Sequence, residues 1–190
     1  MAPKNKFSKQ DIIDAAFNVA KVEGIDTITI RKVAEKLGSS IAPIYVNFND
    51  IEELKQEVVN KTLEVAKQLL LDQNSGQPFR DIGIASLRFA KEYSVLFRDL
   101  IIKHNSYMNY DKNDVSLVVE MMKKDDELSV LSDEELMNIL FKMQIFQTGL
   151  SVMAANGLLP DHLQDEQLIE VLDSVALDIV TAACMRQKDA

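Results

Sequence analysis

The chain has 190 residues, 47% of them hydrophobic, and a formal net charge of -9. This is a globular composition, long enough for one sizeable core or two modest ones, and it excludes a disordered chain. No apolar run reaches the ~20 residues that a membrane helix requires, the start M-A-P-K-N-K-F has no apolar leader segment, and the lone Cys184 cannot staple a fold, so a cytoplasmic protein is expected.

The charge is unevenly spread. Residues 1–50 hold seven Lys/Arg against six Asp/Glu, and the acidic excess falls in the remainder. Local potential decides whether a face can approach phosphate, so the N-terminal part is the candidate for nucleic acid. The first seven residues, with Lys4 and Lys6 just ahead of Lys9, read as an arm able to track a phosphate backbone. Ser8 then caps a helix whose apolar set is Ile12, Ile13, Ala16, Phe17, Val19 and Ala20, and Gly24 ends it.

The next stretch, I-T-I-R-K-V-A-E-K-L-G-S-S-I-A-P-I-Y-V-N-F from Ile28 to Phe48, predicts two short helices. Ile30, Val33, Ala34 and Leu37 form the buried stripe of the first, with Thr29 as N-cap and Gly38 as the left-handed stop. Ser39 or Ser40 begins the second, with Ile41, Ile44, Tyr45 and Phe48 expected to turn inward. Two helices joined by a tight glycine turn make a helix-turn-helix, whose second helix fits a DNA major groove.

A long helix is expected from Asp50 to about Asp72, and D-Q-N-S-G-Q-P at 72–78 is the clearest break in the chain. Helix resumes with Phe79, Ile82, Ile84, Leu87, Phe89 and Ala90; residues 104–113 read as a loop, followed by a helix from Asp114 to Lys124 and an acidic connection at 125–135. The two last helices, Glu134 to Leu158 and Glu166 to Met185, are apolar almost all round. A helix without a polar face must be covered on both sides, and a two-fold dimer built on a four-helix bundle covers both. Leu150, Met153, Ala154, Leu172, Val175, Ala176, Ile179 and Ala183 are the expected interface.

The runs A-A-F-N-V-A-K-V-E-G, T-I-R-K-V-A-E-K-L-G-S-S and I-Y-V-N-F followed by E-E-L resemble the DNA-binding domain of TetR-family transcriptional regulators, over residues 8–58. The resemblance implies an all-α protein of about nine helices. Residues 1–50 would form a three-helix helix-turn-helix domain, and 51–190 a helical effector-binding and dimerisation domain. It places Thr29 and Tyr45 at phosphate, Arg31 at a base edge, and Ser39, Ser40, Ala42, Pro43, Val46 and Asn47 on the exposed side of the recognition helix. Two residues depart from the family pattern: Ile51 stands where a phosphate-gripping lysine is usual, and Pro43 where a small hydroxyl residue is common. By side-chain chemistry Asn47 suits adenine, Arg31 guanine, and Ala42, Pro43 and Val46 thymine methyls.

No catalytic or metal-ligand spacing is present; His104 and His162 stand far apart, no cofactor is implied, and an enzyme is not expected. A small-molecule pocket is better motivated. Tyr93, Phe97, His104, Tyr107, Met108, Tyr110, Met121, Met122, Phe141, Gln144 and Gln147 combine apolar bulk with polar tips, and the two glutamines are amides within an otherwise apolar helix. The expectation is a homodimeric regulator, a repressor that a small-molecule effector releases from a palindromic duplex. The rival is a small-molecule-binding or scaffold protein with weakened DNA affinity, motivated by Ile51, Pro43 and the acidic total.

Overall fold

In the computed structural model the described residues are 7–108, 112–160, 163 and 165–188, so Lys4, Lys6, Tyr110 and His162 lie outside them. Among the described residues all regular structure is helical. The elements are α1 (Lys9–Glu23), a 3-10 turn (Ile25–Thr27), α2 (Ile30–Leu37), α3 (Ala42–Asn47), α4 (Ile51–Leu71), α5 (Pro78–Glu92), α6 (Ser94–Phe97), a π turn (Arg98–Ile102), α7 (Lys112–Met122), α8 (Asp133–Ala155) and α9 (Asp165–Lys188). None of these helices is long and apolar enough to cross a membrane. They gather into two compact units, one of Met1–Gln68 with Tyr93–Met108, the other of Leu69–Glu92 with Asn109–Ala190.

In the first unit, α1 starts where its cap dictates. Ser8 Oγ accepts from Asp11 N–H at 3.1 Å while Asp11 Oδ2 accepts from Ser8 N–H at 2.7 Å, a reciprocal box that satisfies two orphan donors. Ile12, Ala16 and Ala20 are fully buried at four-residue spacing, with Ile13, Phe17 and Val19 beside them. α2 opens on Thr29, whose Oγ1 accepts from Lys32 N–H at 3.3 Å, and closes on Gly38 at φ 62° and ψ 38°. Ile25, Ile28, Val33, Ile44, Leu54, Val58, Leu96 and Leu100 complete this core.

α3 corrects one expectation. Ile44 and Phe48 are buried, but Ile41 and Tyr45 face outward. Successive helical residues are about 100° apart, so a helix of six residues that points Ile44 at the core turns Tyr45 away. Nor does a serine hydroxyl cap α3: Ile41 stands at the cap position, with Pro43 in the first turn.

The helix that resumes at Phe79 ends before residues 93–102. Tyr93, at φ -129° and ψ 43°, ends α5, and α6 runs only to Phe97. The chain then widens into a π turn in which Lys103 N–H reaches back to Arg98 O at 2.9 Å.

In the second unit, α8 begins with another reciprocal box, Ser132 with Glu135. Its core joins Leu136, Ile139 and Met143 to Val180 and Ala183, while Leu150 packs with Leu168. The start of α8 thus meets the end of α9, and α8 and α9 are antiparallel. α5 and α7 cover them through Ile84, Leu87, Val119 and Met122. Arg80 donates to both carboxylate oxygens of Asp173 at 2.9 Å, tying α5 to α9 in a bidentate pair.

Candidate nucleic-acid interface

Between Ile28 and Phe48 stand three basic residues, Arg31, Lys32 and Lys36, and one acidic residue, Glu35. Arg31 and Lys36 are exposed on α2, whereas Lys32 Nζ is held by Glu23 at 2.6 Å. On α3 and the turn before it, Ser40, Ala42, Tyr45 and Val46 are exposed, and Ser39, Pro43 and Asn47 half-buried. Thr29 is exposed but spends its hydroxyl oxygen on the α2 cap, and Ser39 Oγ donates to Ser40 O at 2.8 Å. Asn47 Nδ2 donates to Pro43 O at 2.7 Å, so its amide is turned back on its own helix.

At the head of α4, Ile51 is half-buried. Lys55, one turn further on, is drawn to Glu52 at 2.7 Å, and Glu52 also accepts from the Tyr107 hydroxyl at 3.1 Å. The hydrogen bond from Lys55 holds the Glu52 carboxyl below its usual range, while burial pushes the Tyr107 phenol up. The cation nearest the missing lysine position is therefore already engaged.

Beneath this surface lies a contact that sequence reasoning missed. Asp99, on the π turn, is buried, and its Oδ2 accepts from the N–H of Ile25, at the turn joining α1 to α2, at 2.9 Å. Lys103 Nζ lies 2.9 Å and Arg98 Nε 3.3 Å from Oδ1. Burial pushes this carboxyl up, but the hydrogen bonds from Lys103 and Ile25 outweigh it and hold the group below its usual range. Gly24 makes the approach possible: its φ is 103°, and a Cβ built there would lie 2.5 Å from Asp99 Oδ2. The only sequence signal was a helix-ending glycine; its partner is 75 residues away.

The expected pocket residues divide between the units. Tyr93, Phe97, His104, Tyr107 and Met108 belong to the first; Met121, Met122, Phe141, Gln144 and Gln147 to the second. Tyr93 packs on Phe17, centroids 6.2 Å apart, with Lys21 Nζ 4.4 Å from its ring. Phe97 and Met122 are buried core, His104 is exposed, and Met108 and Met121 are half-buried. Gln147 Nε2 donates to Gly83 O at 2.7 Å, and Gln144 is exposed. Phe141, 61% exposed, stands on a surface stripe with Met137 and Ile145, and Leu177 and Met185 form a second stripe on α9.

Of the expected interface, Leu150, Leu172 and Ala183 are buried inside a single chain, so they have no surface left to cover. Met153 is exposed, and Ala154, Val175, Ala176 and Ile179 are half-buried. The difference arises because both faces of α8 and α9 are apolar, and only packing against α5 and α7 decides which one turns inward.

Residues 12–58, from the first buried residue of α1 to the second turn of α4, match the profile of bacterial regulatory proteins of the tetR family. The fold is similar to that of a TetR-like transcriptional regulator from Rhodococcus sp. RHA1, with a TM-score of 0.63 and 15% sequence identity over 89% of this chain and 93% of that one. No curated protein matches the sequence. Residues 12–58 thus match the tetR family of bacterial regulatory proteins, within an all-α fold similar to that of a TetR-like transcriptional regulator.

Proposed function

We propose that the chain is a homodimeric DNA-binding transcriptional repressor, released from a palindromic operator by a small-molecule effector. The observation that carries the DNA-binding part is the outward face of α3 in a tetR-family domain whose α2 carries the exposed cations Arg31 and Lys36. Pro43 and Asn47 lie on α3 itself, Ser39 and Ser40 in the turn before it, and Thr29 at the cap of α2. In this reading residues 1–50 read DNA and residues 51–190 dimerise and hold the effector.

The dimer surface is the exposed apolar face of α8 and α9, around Met137, Phe141, Ile145, Met153, Leu177 and Met185. A partner covering it places two copies of α3 on successive major grooves, about 34–36 Å apart. The effector acts only in so far as it binds the DNA-free conformation more tightly, because equal affinity for two states shifts nothing.

The test is titration of duplex DNA across a salt series. A regulator binds with log K falling linearly against log salt, and Arg31→Ala weakens binding and relaxes specificity at the base it meets. Tyr45→Ala weakens binding at every salt. The engaged Lys55 and the apolar Ile51 favour a second reading, a small-molecule-binding or scaffold protein with weakened DNA affinity. Salt-insensitive or undetectable duplex binding selects it.

A further inference from the structure

We propose that α3 reads its half-site through thymine C5-methyl groups, with Val46 and Ala42 as the specificity-determining side chains. This rests on the DNA-binding reading above and deepens it.

The inference comes from what α3 can offer a base edge. Direct readout of the major groove uses guanidinium or ammonium groups on guanine, amides on adenine, carboxylates on cytosine, and apolar groups on the thymine methyl. The helix A-P-I-Y-V-N has no charged residue. Its one amide, Asn47, is half-buried and donates its Nδ2 to Pro43 O at 2.7 Å. Bidentate pairing with adenine would have to use the amide's second N–H and its oxygen from a half-buried side chain already tied to its own helix, so that mode is disfavoured while the bond stands.

What the helix does present is apolar. Val46 is 67% exposed, Tyr45 58% and Ile41 48%, with Ala42 exposed beside them. That bulk on residues 41–46, in a domain that also exposes Arg31 and Lys36 on α2, complements a phosphate-lined groove whose one apolar base substituent is the methyl of thymine. Tyr45 carries a polar tip and suits the groove wall. Val46 and Ala42 have no polar atom beyond the backbone and suit only the methyl.

The experiment uses the full chain. A random-sequence duplex library is enriched by binding at low salt, and each thymine of the selected duplex is then replaced in turn by uracil, which lacks only the methyl. Burying one such carbon corresponds to about a four-fold change in affinity. The inference expects a loss of about that size at symmetry-related positions in the two half-sites. In Val46→Ala, checked for unchanged helicity, the thymine-uracil difference at those positions disappears, whereas Tyr45→Ala weakens both duplexes equally. Uracil tolerated at every position overturns the inference, as does a selected adenine whose recognition is lost in Asn47→Ala; in both cases DNA binding itself stands. A library that yields no enriched, salt-sensitive duplex overturns this inference together with the reading beneath it.

Discussion

Replacing Gly24 by alanine tests the buried contact between the α1–α2 turn and the π turn. At φ 103° and ψ 160° Gly24 occupies a backbone region open essentially to glycine alone, and forcing an L-residue there costs about 1–3 kcal/mol. The new Cβ would also lie 2.5 Å from Asp99 Oδ2, so the carboxylate must withdraw from Ile25 N–H. Losing a buried hydrogen bond to a charged group adds about 1.5–3 kcal/mol. Together these amount to about 2.5–6 kcal/mol, a large fraction of the ~5–15 kcal/mol that holds an ordinary domain.

Urea unfolding followed by circular dichroism reads the cost, and hydrogen exchange at α1 and α2 amides assigns it to the first unit. Gly38→Ala is the control, because Gly38 also has positive φ, 62°, but a Cβ there meets nothing within 4 Å. In an Asp99→Ala background the cost of Gly24→Ala should fall to its backbone part, a coupling that a double-mutant cycle measures directly. A cost for Gly24→Ala below about 1 kcal/mol, or no coupling to Asp99, refutes the reasoning. The same carboxylate sets a pH response. Its folded pKa lies below the ordinary 3.8, so its contribution is present above that value and is lost as pH falls through the depressed one. Asp99→Asn should remove that acid-dependent component.

Other consequences are open to measurement. Burial, with the nearby charges of Asp81, Glu127 and Asp126, raises the pKa of Asp125 against the hydrogen bond from Phe79 N–H. Its ionisation in the fold is therefore unfavourable once pH exceeds the raised value, and Asp125→Asn, which keeps an acceptor for Phe79, should raise the thermal midpoint at pH 7 but not below pH ~3.8; a less stable variant at pH 7 contradicts this. Gln147→Leu removes the amide that donates to Gly83 O, a carbonyl inside α5, and should cost about 0.5–1.5 kcal/mol in urea. If the α8–α9 stripe is the dimer surface, the double variant Phe141→Glu and Ile145→Glu should sediment as a monomer with wild-type helicity. A wild-type chain already monomeric at working concentration removes the dimer from the proposal.

Residues close in sequence determined the helix ends. Ser8 with Asp11, Thr29 with Lys32 and Ser132 with Glu135 are caps made within three residues, and Gly24 and Gly38 stop their helices through their own backbone. Such interactions are complete before any tertiary contact forms, which is why the helix-turn-helix could be read from its spacing. Tertiary structure alone decided the rest. Nothing local distinguishes Phe141 from Met143 on α8, yet one is exposed and the other buried, because the choice rests on α5, α7 and α9. Tyr107 with Glu52, Gln147 with Gly83 and Asp99 with Ile25 join residues 55, 64 and 74 positions apart. A hydrogen bond across such a distance leaves no periodic trace in the chain, because its geometry depends on how every intervening helix packs.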